Sequence, residues 1–470
     1  MRRITASLVV LVELAAISAY AFDLGPRWFG FDYPSPVTEP AAVPPPPGLS
    51  LPDADSPSRV AAATEPVSAD PAAVRRAVAP LLRDPRLGRR VAVAVSDLST
   101  GEVIYRDGEQ RVIPASTLKV LTGATVLAAL GGDHRFRTSV VQGDSRRRIV
   151  LVGGGDPLLA RRPVPVDRAY PARADVVILA RATAEALRDA GRSTVRLGFD
   201  DGLFEGPAVS PDWPETYIPS VVSPITALWV DEGRDAGGFF RSVDPALAAA
   251  EAFASALERR GITVRGAPRR EAAAEGAQEV AAVEGAPLAQ VVQRMLEASD
   301  NEAAEVLLRQ AAIATDRPAS FAGGSAAVHS FLAGLGIDTS GDRVLDGSGL
   351  SRDNLVRPET LLGVIEQAAG PDHPELRPVL TGLPVAGFTG SLTDRFVSGS
   401  PAGPGDVRAK TGTLRGVRAL AGTALTKDGV DVGFVVVADR IRGDTNSLEA
   451  RARIEEAAAA LAGCVCGGTT

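Results

Sequence analysis

The sequence predicts a mixed α/β chain of the α+β kind: an antiparallel sheet flanked by helices, with a smaller domain inserted into it. Three observations lead there. Alternating strand patterns stand far apart, in "RVAVAVSDLSTGEVIYRDG" (90–108) and "VRALAGTALTKDGVDVGFVVVAD" (417–439). Apolar helical patterns lie beside both. The stretch between, roughly 133–283, carries strands and helices of its own. Strands gathered from distant parts of a chain, with helices packed on them, form one layered core.

Taken in order, "MRRITASLVVLVELAAISAYAF" places two arginines before an apolar run from Ile4 to Ala21. Ala19-Tyr20-Ala21 has the small-x-small form of a signal-peptidase site, and Glu13 is costly in a membrane interior. Residues 1–33 read as a signal peptide or a membrane anchor, and both predict export, with the anchor giving a membrane tether. Ten prolines between Pro34 and Pro66 make 34–68 an extended linker. Asp70-Pro71 is an N-cap followed by proline at the first helical position, opening a helix to about Leu82. The strand pair at 90–108 follows, then a helix from Ser116 to Gly131-Gly132. The insert contributes the strands "RRIVLVGG" and "STVRLGFDD" and the helices "ADVVILARATAEALRDAG" and "PALAAAEAFASALERRG". A second hairpin turns at Lys427-Asp428-Gly429, and a helix covers about 446–462. Cys464 and Cys466 are the only cysteines; the spacing predicts a frayed tail rather than a strained local disulfide, and falls short of a zinc site.

At 470 residues and a net charge of −7, the chain has room for two or three domains and no basic footprint for nucleic acid. Of its 50 basic residues only Lys119, Lys410 and Lys427 are lysine. Arginine keeps its proton in a protein, whereas a desolvated lysine can shed it and act as a base.

Lys119 falls in "VIPASTLKVLTG". Three positions apart on a helix, Ser116 and Lys119 share a face, so the amine reaches the hydroxyl and can activate it. The helix N-terminus adds free N–H groups suited to an oxyanion. An N-cap serine beside a solvated lysine is the plainer reading of that motif. The second motif, "EASDNEAAE", sets Ser299 and Asn301 between two helices, where Ser, Asp and Asn also cap helices in their own right. There Ser299 can relay a proton and Asn301 can donate to an amide. The third, "VRAKTGTLRG", holds Lys410, Thr411, Gly412 and Thr413. The lysine and hydroxyls can hold a carboxylate, the Thr413 N–H can complete an oxyanion hole, and Gly412 leaves room for a ligand backbone. An ordinary Lys-Thr-Gly turn is the alternative. His134, His329 and His373 accompany no nucleophile elbow or paired-histidine motif.

Ser-x-x-Lys, Ser-Asp-Asn and Lys-Thr-Gly in this order resemble the penicillin-recognising serine enzymes. "LVGGGDPLL", "DGSGLSRDNLVRP" and "LPVAGFTGSLTDRF" narrow the resemblance to the D-alanyl-D-alanine carboxypeptidase/endopeptidase family, the class C low-molecular-mass penicillin-binding proteins. The resemblance spans about 70–462, and the Ala, Arg and Gly usage looks actinobacterial. It implies a transpeptidase-like domain from 69–132 and 284–470, with 133–283 inserted. It also implies a serine-type carboxypeptidase or endopeptidase acting on peptidoglycan stem peptides outside the cytoplasmic membrane, acylated by β-lactam antibiotics and needing no cofactor. Carried over, Ser116 is the nucleophile, Lys119 the base and Ser299 the proton shuttle. Asn301 orients the peptide amide, Lys410, Thr411 and Thr413 grip the terminal carboxylate, and Ser348 and Arg352 touch the substrate side chain, where an arginine suits a free carboxylate. A serine β-lactamase and a non-catalytic wall-binding or β-lactam-sensing protein are the rivals. The first lacks a class A deacylating Glu-x-x-Leu-Asn segment, and the second has no need of a neutral lysine.

Overall fold

The computed structural model describes residues 67–468 except 166–168, 236, 239 and 397–401. The signal or anchor segment and nearly all of the linker lie outside the described residues.

Helix α1 (Pro71–Leu82) starts where the Asp70 carboxylate accepts from the Ala72 and Ala73 amides. Strands β1 (Arg90–Asp97) and β2 (Glu102–Gly108) form the first hairpin. A 3-10 turn (Ala115–Leu118) then leads into α2 (Lys119–Leu130), so the helix expected from Ser116 begins with a tighter turn. Nothing polar faces out from the first nine residues of α2, because all of them are buried, Lys119 included.

Next come β3 (Arg137–Gln142), β4 (Arg148–Val152), α3 (Val176–Asp189), β5 (Thr194–Asp200), α4 (Pro245–Arg259), β6 (Thr263–Val264), β7 (Arg269–Arg270) and β8 (Glu279–Glu284). They make a second sheet in the order β6-β5-β4-β3-β8, with β7 also pairing β5. Pairings β4–β5 and β5–β6 are parallel, those of β3 antiparallel. Leu179 and Leu187 of α3 and Phe253 and Leu257 of α4 close its core against Ile149, Leu151, Leu197 and Phe199.

The chain then builds α5 (Leu288–Ala298), α6 (Asn301–Ala314), α7 (Phe321–Gly334), α8 (Pro358–Ala369), α9 (Arg377–Thr381), β9 (Val407–Leu414), β10 (Val417–Leu425), β11 (Asp431–Asp439) and α10 (Asp444–Ala462). The first sheet runs β2-β1-β11-β10-β9, antiparallel throughout. Register pairs Arg90 with Asp439 and Asp97 with Val432, uniting the two ends of the described chain. Successive residues alternate faces. Val93, Val95, Leu420 and Val436 pack against α1 and α10, through Val74, Val78, Ile454 and Leu461. Ala92, Ala94, Ala421 and Val435 face the opposite layer, built on α2, α6 and α8. Helix α2 is the axis of that layer.

The tail differs from expectation. Cys464 and Cys466 are disulfide-bonded, and Cys466 is fully buried. Asp70 N–H donates to the Cys466 carbonyl at 2.6 Å, Ala69 bridges Gly467, and the Asp428 carboxylate in the β10–β11 turn accepts from the Cys466 and Gly467 amides. With these backbone groups paired, the tail is held against the start of α1 rather than frayed.

Candidate active site

Ser116 lies one residue after Ala115, a non-glycine residue at φ 49°. Such left-handed backbone costs an alanine roughly 1–2 kcal/mol and needs support from its surroundings. Two glycines lie against it. A Cβ on Gly349 would stand 1.9 Å from the Ala115 carbonyl oxygen, and one on Gly412 would stand 2.7 Å from the Pro114 carbonyl oxygen. Gly412 therefore admits the chain's own 114–115 segment, not the ligand backbone for which its place in the motif suggested it. The approach of a strand to this turn fixes Ser116 beside β9.

Lys119 reaches back one turn, as the i, i+3 spacing requires. Its Nζ lies 3.0 Å from Ser116 Oγ, 2.8 Å from Asn301 Oδ1 and 2.7 Å from the Ser348 carbonyl oxygen. Burial pushes its pKa down to about 8, against the opposing pull of Glu305, Asp346, Asp300 and Glu302. The amine is thus within reach of neutrality near physiological pH and points at the hydroxyl it would activate.

The second motif serves as both cap and site. Ser299 closes α5 in left-handed backbone (φ 58°, ψ 40°), and Asp300 caps α6 by accepting from Ala303 N–H. That break turns Ser299 and Asn301 into the cleft containing Ser116. The cleft measures about 670 Å³ and takes further walls from Tyr217, Val221, Leu350 and Arg415.

Edge strand β9 supplies the third motif. The Val407 carbonyl accepts from Ala386 N–H and Ala409 N–H donates to the Pro384 carbonyl, on the side away from β10. By the two-residue alternation of a strand, Thr411 and Thr413 turn their N–H groups the same way. Both threonines line the cleft, and the Thr411 hydroxyl meets that of Ser391 at 2.8 Å. Lys410 is fully buried behind them, donating to the Thr411 carbonyl at 3.0 Å. Burial, then the Lys119 and Arg395 cations, push its pKa well below the ordinary lysine range. A carboxylate arriving at the threonines would favour its charged form.

Ser348 corrects the expectation for it. Its side chain is fully buried and outside the cleft. Its carbonyl receives Lys119, and its N–H donates to Glu305 at 2.8 Å. Ser348 thus serves the lysine through its backbone, and its side chain does not meet substrate. Arg352 is exposed and donates to the Arg415 carbonyl at 2.8 Å, next to a cleft wall.

Three site residues were not singled out from the sequence. Glu305, buried on α6, accepts from the Gly347 and Ser348 amides, and burial followed by the nearby Asp346 charge raises its pKa to about 7. Asp346 accepts from Trp213 Nε1, Gly349, Ser351 and Asn354, fixing the loop that carries the Ser348 carbonyl. Ser391 is the third. The available signal for Glu305 was its place four residues after Asn301, on the same helix face.

The chain is similar to several known proteins. A carboxypeptidase of Mycobacterium tuberculosis is 36% identical over 422 residues, covering 86% of each chain. A D-alanyl-D-alanine carboxypeptidase of Actinomadura is 30% identical, covering 73% of this chain and 77% of its own. Crystalline penicillin-binding protein 4 from Haemophilus influenzae superposes with a TM-score of 0.67 at 23% identity, over 82% of this chain and 97% of that one. It shares the fold. The family model for D-Ala-D-Ala carboxypeptidase 3 (S13) matches residues 74–238 and 235–461. The chain belongs to that family of serine carboxypeptidases.

Proposed function

We propose that the protein hydrolyses the bond between the two D-alanines of peptidoglycan stem peptides through an ester on Ser116, and that penicillins acylate the same hydroxyl. One observation carries the reading: a wholly buried lysine, its pKa lowered to about 8, within hydrogen-bond distance of a serine in an open cleft.

Neutral Lys119 takes the Ser116 proton as Oγ bonds to the carbonyl carbon. The Ser116 and Thr413 amides hold the oxyanion that forms. Collapse breaks the C–N bond, and the lysine proton passes through Ser299 to the departing D-alanine amine. Asn301 orients the peptide amide, while Thr411, Thr413 and the Lys410 charge receive the terminal carboxylate. Water then attacks the ester, and Ser116 recovers its proton. Arg352, hydrogen-bonded to the carbonyl of the cleft residue Arg415, suits a stem-peptide residue with a free carboxylate. The relatives' names, two carboxypeptidases and a penicillin-binding protein, support this chemistry. The apolar N-terminus supports an exported enzyme, cleaved free or tethered to the membrane.

Intact-mass measurement after penicillin treatment tests the nucleophile. A persistent adduct is expected on the parent, absent from Ser116→Ala, together with D-alanine release from a D-Ala-D-Ala peptide. An adduct on the variant would remove Ser116 from its role. Rapid penicillin turnover would favour a β-lactamase.

A further inference from the structure

Away from the peptidase cleft, the starts of β4 and β5 enclose a second hollow of about 820 Å³. Six arginines line it: Arg146, Arg147 and Arg148 before and at β4, Arg192 and Arg196 around β5, and Arg265 just after β6. The parallel register sets Arg148 directly beside Arg196. Arg148 is neutralised by Asp144 and Glu271. The other five form no ion pair among the described residues. Arg146 is anchored on the Ala190 carbonyl and Arg192 on Gln142 Oε1, each by a single guanidinium nitrogen. Burial, then the Arg146 cation, push the Arg192 pKa down, so the hollow holds charges that oppose one another. In a chain of net charge −7, general basicity does not explain such a concentration.

We propose that this hollow is a binding site for a ligand bearing several phosphate groups, distinct from the site that cuts peptides. Guanidinium forks match phosphate oxygens two at a time. Five uncompensated cations exceed what a single phosphate, at about two negative charges, can neutralise. The Ser193 and Thr194 residues in the same wall add hydroxyl groups to the lining. A chain of phosphodiesters and a small polyphosphate share this chemistry, and the experiment separates them.

The full-length protein is titrated into fluorescein-labelled poly(glycerol phosphate), with pyrophosphate and poly-glutamate as competitors. Two triple variants lose the same charge: Arg147→Ser/Arg196→Ser/Arg265→Ser in the hollow, and Arg75→Ser/Arg83→Ser/Arg89→Ser on exposed positions near α1. The first should weaken binding at least about tenfold and the second by less than about twofold, because only the first removes fitted contacts. Competition by stoichiometric pyrophosphate would assign a small soluble ligand; competition only in large excess would assign a polymer, and both uphold the site. Equal losses in the two variants, no loss in the first, or displacement by poly-glutamate as effective as by phosphate would overturn it. Cleavage of a short D-Ala-D-Ala peptide, followed in parallel, should be unchanged in the first variant. Failure of the peptidase reading is therefore visible separately.

Discussion

Lys119 Nζ donates to the backbone carbonyl of Ser348 at 2.7 Å, a bond that no change of the serine hydroxyl removes. Ser348→Ala should therefore keep acylation by fluorescent penicillin within about threefold of the parent, a loss typical of sites outside the reacting groups. A larger loss would put the hydroxyl itself at work. Lys119→Arg should fall by about a thousandfold in the same assay, since arginine cannot act as the base.

The same lysine sets a pH profile. With a pKa near 8, its neutral fraction rises about tenfold per pH unit as the pH climbs towards that value and levels off above it. Acylation rates measured by stopped flow from pH 6 to 9 should climb and then plateau. A flat profile through this range would exclude lysine deprotonation as the controlling event.

Glu305→Ala should destabilise as well as slow the enzyme. The Gly347 and Ser348 amides would lose their buried acceptor, at about 1–3 kcal/mol, and the lysine's own acceptor would loosen with them. Glu305→Gln, which keeps one acceptor oxygen, should retain more of both properties. Denaturant unfolding and acylation, measured on both variants, check the order.

Gly412→Ala tests the packing behind Ser116. The added methyl would stand 2.7 Å from the Pro114 oxygen, backbone that cannot rotate away. Displacement of Ser116 by about 1 Å should slow acylation about a hundredfold. If the variant acylates normally, the two strands of backbone have more freedom than their contact implies.

Removing residues 465–470 should lower the thermal midpoint by about 2–4 °C, the change expected for roughly 1 kcal/mol in a large domain. The Asp70 amide and the Asp428 carboxylate would both lose partners. Calorimetry of the shortened chain measures it.

The gathering of the candidate site was legible because it depends on residue type at fixed spacing: Ser116 and Lys119 on one turn, Ser299 and Asn301 across a helix break, Lys410 to Thr413 along a strand. The hairpins at 90–108 and 417–439 were equally plain from alternation. What the letters hide is context. Glu305 reads as one more acid on a helix until burial is known, and the Ser348 carbonyl has no letter at all, since every residue carries one. Gly412 looked like an opening for a ligand because the partner filling that space lies nearly three hundred residues earlier. The tail looked loose because the groups that pair with it, at 69–70 and 428, are equally remote.

The register of β1 on β11 joins Arg90 to Asp439, a separation of 349 residues. A ribosome delivers β11 only when most of the polypeptide has already emerged. Until then β1 has no neighbour on that edge, and β9, with Thr411 and Thr413, is not joined through the sheet to β1. Loop closure over such a distance is slow relative to helix formation. A fragment ending before β11 therefore lacks the strand that joins β1 to β10.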